Sequence, residues 1–291
     1  MPRTLILGGT RLMGTHLVEK LLELGHDITI ATRGRRGDGF GDKVKRLVLD
    51  RFDADSVKQA LEGKSFDVVF DSLALSSNDV KVLLDVLACK RYIMISTMAV
   101  YSSRHALVKE TEFKALEHPL KWMGSQDDTY AETKRQAECA LFQQYSSFPS
   151  VAVRYPVVIG EDDYTKRLLY YVEHVMKGLP INPDKIESKM PFVTSKEAGQ
   201  FLAHLADKEF TGPVNGSNVG WVSVQEIISY IEEKTGKEAV FSGEAEKAPF
   251  VYAADSSLDT SVAEGLGFVF QPLEKVLFPL IDRFIETVGK E

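Results

Sequence analysis

Residues 4–14 read Thr4-Leu5-Ile6-Leu7-Gly8-Gly9-Thr10-Arg11-Leu12-Met13-Gly14. A short, mostly apolar run ends on paired glycines, the pattern of a buried parallel strand. Beyond it Met13, Leu17, Val18, Leu21 and Leu22 recur at helical spacing, and Gly25 stands where a helix C-cap glycine belongs. A glycine turn between strand and helix lets backbone N–H groups approach a diphosphate, and the helix N-terminus adds positive partial charge. The plainer alternative is an ordinary strand-to-helix turn. Arg11 sits where such turns usually carry a middle glycine. Its side chain adds charge to phosphate binding, reaches the adenosine end, or narrows the crevice.

The alternation continues downstream. Strand signals fall at 27–32, 46–49, 66–70, 91–95 and 150–154, and helical patterns at 54–61 (capped by Asp53), 80–88 and 127–145. Strands alternating with helices predict βαβ units in an α/β, Rossmann-like, doubly wound parallel sheet, with ligands at the strand C-termini. Residues 102–126 have little periodicity and read as a long loop. After Pro156 the chain becomes turn-rich, with helices expected at 195–205, 223–234 (each opened by a serine cap) and 273–288. A dinucleotide-binding domain over 1–158 and a smaller, mixed C-terminal substrate lobe over 159–291 are expected, with about 192–220 returning to the first domain.

The chain has 291 residues, with 35 Lys and Arg against 42 Asp and Glu, a net charge of −7. That balance argues against coating nucleic acid through bulk electrostatics. Two cysteines, Cys89 and Cys139, form no C-x-x-C pair and suit a reducing compartment. No apolar run approaches the ~20 residues of a membrane span, so a cytoplasmic protein without membrane attachment is expected. The six histidines show no metal-ligand spacing, and no metal site is expected.

Tyr130-Ala131-Glu132-Thr133-Lys134 places a phenol and an ammonium four residues apart, on one face of a predicted helix. An ammonium nearby is expected to lower the phenol towards the working range of a general base. Thr97, at the end of the fifth strand, faces the same crevice as the glycine loop. The second strand ends Ala31-Thr32-Arg33 with no acidic residue to hold a ribose hydroxyl. Arg33, with Arg35 and Arg36, either pairs with a 2′-phosphate, which favours NADP over NAD, or forms a solvated basic loop. Asp50 is either an acceptor for an adenine amino group or a turn residue. Tyr164 and Arg167 either reach a substrate or its phosphate, or belong to an acidic helix start. Phe192 either walls the pocket or belongs to the core.

With these motifs on the page, the chain resembles the short-chain dehydrogenase/reductases, chiefly the extended and atypical branch with nucleotide-sugar epimerases and dehydratases. The likeness rests on residues 7–14, L-D-R-F-D (49–53), D-V-V-F-D-S-L-A (67–74), I-S-T-M-A-V-Y (95–101), Y-A-E-T-K (130–134), R-Y-P-V-V-I-G (154–160), 191–199 and 257–268. It implies an NAD(P)-dependent oxidoreductase or epimerase acting on a sugar-like or other small hydroxyl or carbonyl substrate by tyrosine-assisted hydride transfer. Thr97, Tyr130 and Lys134 match its catalytic residues. Gly8, Gly9, Thr10, Arg11, Leu12, Met13 and Gly14 match the phosphate loop. Ser72, Leu73, Tyr155 and Pro156 match further cofactor-site segments, the last two beside the nicotinamide. Met98-Ala99 replaces the acidic pair of the sugar dehydratases, which makes dehydration unexpected. The G-G-T-R-x-x-G variant is similar to a subgroup containing chloroplast stem-loop RNA-binding proteins. That similarity leaves open a dinucleotide-sensing or RNA-binding protein with little catalysis. Members commonly pair as homodimers, here through 80–88 and 127–145.

Overall fold

The structure, a computed structural model, describes residues 1–250 and 253–290. The chain opens with β1 (Arg3–Leu7), α1 (Met13–Glu23), β2 (Asp27–Thr32), β3 (Lys45–Val48), α2 (Ala54–Leu61), β4 (Ser65–Asp71), α3 (Ser77–Leu84) and β5 (Ala88–Thr97). After a long loop come α4 (Tyr130–Cys139), β6 (Ser150–Tyr155), β7 (Val157–Ile159), α5 (Arg167–Lys177), β8 (Pro180–Ile181), β9 (Lys189–Met190) and β10 (Phe192–Thr194). The chain closes with α6 (Ser195–Leu205), β11 (Gly212–Asn215), β12 (Val222–Ser223), α7 (Val224–Thr235), β13 (Val240–Phe241), α8 (Ser261–Gly265) and α9 (Leu273–Val288).

Seven strands form one parallel sheet in the order β11-β6-β5-β4-β1-β2-β3. β1 pairs with both β2 and β4, so the strand order reverses beside it and a crevice opens at its C-terminal end. Side chains alternate along β1. Ile6 joins the core beneath α1 and α6, whereas Leu5 and Leu7 join the core beneath α2, α3 and α4. A third apolar core, built on Tyr171, Ile227, Ile228, Leu277 and Ile281, holds the C-terminal elements. β11 pairs with β6 and extends the main sheet, although it follows β7–β10 in the chain.

Asp53 caps α2 as expected, accepting from the Asp55 and Ser56 amides. The helix expected at 80–88 is instead Ser77–Leu84, capped by Ser76, and Ala88 already pairs with Ser65 in the sheet. The mostly apolar stretch 80–88 is shared between two elements, and periodicity cannot place the break. The helix expected at 127–145 starts at Tyr130, where the Thr129 hydroxyl accepts from the Glu132 amide, and widens into a π-helical turn over Ala140–Gln144. Thr194, not Ser195, caps α6. Residues 162–166 form a turn ahead of α5, with Lys166 in a left-handed conformation (φ 54°).

α6 seats against α1 through Gly199. A Cβ there would lie 2.5 Å from the Met13 carbonyl oxygen and 2.7 Å from the Leu17 amide nitrogen. Because those neighbours are backbone, Gly199→Ala should destabilise the fold by about 2 kcal/mol through overpacking. Gly243→Ala, where nothing lies within 4 Å, should be near neutral. Thermal melts of the two variants check this, and equal melting temperatures would remove the claim.

Candidate active site

The glycine loop is held tightly. Gly8 (φ 99°) donates its amide to the Ala31 carbonyl, and a Cβ there would lie 2.3 Å from Ser72 Oγ. Ser72 Oγ donates to the Leu7 carbonyl at 2.6 Å, stitching the ends of β1 and β4. Ser72 thus shapes the loop with its hydroxyl turned to the backbone. A Cβ on Gly14 would meet Gly9 Cα at 2.7 Å, which explains the glycine where the helix packs on the strand end. The absent middle glycine costs little backbone strain, because the positive-φ residue after Thr10 is Leu12 (φ 48°), not Arg11.

Beside this loop lies a crevice of about 500 Å³. Gly8, Thr10, Arg11, Arg33, Arg35, Arg36, Asp50, Arg51, Leu73 and Tyr164 line it, so the structure brings together expected residues from four separate segments. Asp50 accepts from the Phe52 amide (3.1 Å). Tyr164, expected near a substrate, instead covers this crevice, its ring 4.4 Å from the Arg11 guanidinium. Arg167 donates to the Val158 carbonyl (3.1 Å) and Thr165 Oγ1 (2.8 Å), which ties it to its own turn.

Arg51 was not anticipated. Its side chain is buried, and Nη2 donates to Asp71 Oδ2 at 2.5 Å. Asp71 also accepts from Tyr92 Oη (2.8 Å) and the Leu73 amide (2.9 Å). Arg51 Nε and Nη1 are buried without a hydrogen-bond partner among the described residues. Unpaired buried donors are costly, and here they belong to a residue lining a crevice rich in cations. That donor set fits an acceptor-rich, anionic ligand such as a dinucleotide. An arginine directly after Asp50 at a strand end was the available signal.

At the adjacent strand end Thr97 Oγ1 accepts from the Ala99 amide (3.2 Å), and its hydroxyl lies near enough to the Tyr130 phenol to favour the phenolate. Tyr130, the first residue of α4, leaves 55% of its surface exposed. Desolvation raises its phenol above the ordinary value, against the influence of Thr97. Lys134 lies one turn on, buried, with Nζ donating to the Ala74 (2.6 Å) and Ile95 (2.7 Å) carbonyls. Burial depresses this ammonium to about 8, against the pull of Glu138, Asp71 and Asp79. The expected lowering of the phenol by Lys134 is therefore not found. Both side chains share a helix face, but Lys134 turns inward to two carbonyls.

Glu138, one turn further, makes a paired contact with Arg154: Nε to Oε1 at 3.0 Å and Nη2 to Oε2 at 2.6 Å, both side chains fully buried. Ser96 Oγ donates to Glu138 (2.5 Å), and Arg154 also donates to Tyr101 Oη and the Glu110 and Phe113 carbonyls. This network pins the loop after Thr97 beneath α4. Tyr155, next on β6, faces the opposite side of the sheet and donates to the Ala198 carbonyl (2.8 Å). Its ring therefore lies in the core beneath α6, and Pro156, directly after it, is buried as well. Phe192 is likewise core, fully buried against Phe250. Met98, beside Thr97, is buried in an apolar cluster, so no carboxylate stands at this position beside the threonine.

A parallel sheet with a glycine loop at its reversal point, and a hydroxyl–phenol pair at the neighbouring strand end, defines a dinucleotide-binding α/β enzyme. The chain belongs to the NAD dependent epimerase/dehydratase family, whose sequence model matches residues 4–220. A UDP-glucose 4-epimerase from Thermotoga maritima, solved with UDP-glucose, superposes with a TM-score of 0.76 at 19% identity, covering 98% of this chain and 99% of that one. A UDP-glucuronic acid 4-epimerase from Bacillus cereus, solved with NAD, gives 0.73 at 16% identity, with 99% of each chain covered. At those identities the likeness is one of fold. The chloroplast stem-loop binding protein of 41 kDa b from Arabidopsis thaliana is 34% identical over 113 residues, which is 34% of this chain and 30% of that protein. The match therefore spans under a third of that relative's length.

Proposed function

We propose that the protein is an NAD(P)-dependent epimerase or oxidoreductase of a sugar-like substrate, free or nucleotide-linked. The observation that carries this reading is the Thr97–Tyr130 contact at the strand edge shared with the glycine loop. When bound, the nicotinamide supplies a reversible two-electron acceptor. Tyr130 Oη takes the substrate hydroxyl proton and returns it, Thr97 holds the phenol in place, and buried Lys134 contributes positive charge beneath. The UDP-sugar and NAD named for the two epimerases support a nucleotide-sugar panel as the first test. Mass spectrometry of small molecules retained by the purified protein, followed by that panel, checks the reading. No retained or added dinucleotide, together with no turnover, would overturn it.

The crevice arginines favour NADP. In this reading Arg33, Arg35 and Arg36 pair with a 2′-phosphate, so NADPH should bind roughly tenfold more tightly than NADH. Arg33→Ala should remove most of the difference. A paired titration at fixed salt checks this, and equal affinities for the unaltered protein remove the NADP claim.

The protein is read as a cytoplasmic homodimer. No helix among the described residues is long and apolar enough to cross a membrane. A second reading, RNA binding with little catalysis, draws on the stem-loop binding relative and on Phe52, exposed beside the arginine crevice. The net charge of −7 weighs against it. Filter binding at near-physiological salt separates the two, since tight, salt-sensitive RNA affinity favours only the second.

A further inference from the structure

Arg11 stands in the glycine loop, and Tyr164 belongs to the turn between β7 and α5, over 150 residues away in the chain. They meet with the guanidinium 4.4 Å from the ring centroid, and both line the dinucleotide crevice. Tyr164 is 60% exposed, so core packing does not explain its position. Its turn is instead anchored from both flanks. Asp162 accepts from Ser195 Oγ at 2.6 Å and lies 3.3 Å from His16 Nε2, on the helix that the glycine loop opens. Asp163 accepts from the Thr165 amide (3.0 Å) and hydroxyl (2.5 Å). One turn of the C-terminal lobe is thus tied to α1 behind the loop and to Arg11 in front of it.

We propose that Arg11 and Tyr164 form a clasp over the diphosphate of the bound dinucleotide, with Arg11 donating to the phosphate oxygens and Tyr164 positioning it. The inference rests on the dinucleotide reading above and adds a retention device to it. An arginine has several rotatable bonds, and ordering it for phosphate binding is entropically unfavourable. Stacking on an anchored ring holds the guanidinium in place beforehand and leaves its N–H edge available. The ring also screens the phosphates from water, which strengthens the charge-assisted bonds. A clasp of this kind acts on release more than on capture, which suits an enzyme that must keep its coenzyme through two successive transfers.

Stopped-flow displacement of bound NADPH and of ADP-ribose, with AMP as a probe lacking the diphosphate, provides the test. Tyr164→Ala should raise the release rate of NADPH and ADP-ribose about 3- to 10-fold and leave AMP unchanged. Tyr164→Phe should behave as the unaltered protein. Arg11→Ala should raise release at least as much, and Tyr164→Ala should add little in that background. An unchanged release rate in Tyr164→Ala, or an equal effect on AMP, would overturn the clasp while leaving the dinucleotide reading standing. Tighter binding by Arg11→Gly would overturn it too, by showing that the side chain narrows the crevice. Failure of the unaltered protein to bind any dinucleotide would remove both readings together.

Discussion

Tyr130→Phe should lower kcat by two to four orders of magnitude, the usual range for a positioned acid–base group, on whichever substrate the unaltered protein converts. Dinucleotide affinity should change less than about twofold, because the ring stays and the crevice proposed for the dinucleotide is lined by other residues. The melting temperature should also hold, since the residue is more than half exposed and its hydroxyl makes no buried network. Desolvation holds the phenol above its ordinary value. The fraction available as base therefore grows with pH, so turnover of a hydroxyl substrate should rise from neutrality upward and the slope should vanish in the variant. Steady-state kinetics with a parallel binding titration check this. Turnover that survives the substitution would dismiss Tyr130 as the acid–base group.

Glu138→Leu should destabilise the protein by about 3–5 kcal/mol, because it leaves the fully buried Arg154 guanidinium without its counter-charge. For a chain of this size that corresponds to a fall of roughly 10 °C in melting temperature. Arg154→Met alone should cost a similar amount, stranding a buried carboxylate. The double variant should recover a substantial part of the loss, since an apolar pair avoids the desolvation of two ions. Losses that simply add would show that the pair is not coupled. The site should feel the single variants as well. Arg154 holds the Glu110 and Phe113 carbonyls of the loop after Thr97, and Glu138 is the largest influence opposing the burial-driven fall of the Lys134 ammonium.

Much of this was legible in residue order. β2, α2 and α9 fall where hydrophobic periodicity and caps put them, because each is a local pattern with a clear stop signal. The break between α3 and β5 was not legible, since residues 80–88 are mostly apolar without a Gly or Pro stop signal, and only the pairing of Ala88 with Ser65 separates helix from strand. In the site, the spacing of Tyr130 and Lys134 revealed that they share a face. It could not reveal that Lys134 Nζ finds the Ala74 and Ile95 carbonyls, which are supplied by the loop after β4 and by β5. The direction of the Tyr155 ring is a related case. Its neighbour Arg154 faces α4, so strand alternation sends the tyrosine ring to α6.

By itself the order of residues determined the parallel sheet, its glycine turn and the helix carrying Tyr130. The elements themselves depend on interactions among residues a few positions apart, and their strict alternation then leaves a parallel sheet as the way to bury them. Only the folded chain decided that Arg11 meets Tyr164, that Arg51 lies buried against Asp71, and that Glu138 neutralises Arg154. Each of these joins segments distant in sequence, and its strength depends on burial and dielectric surroundings that packing alone creates.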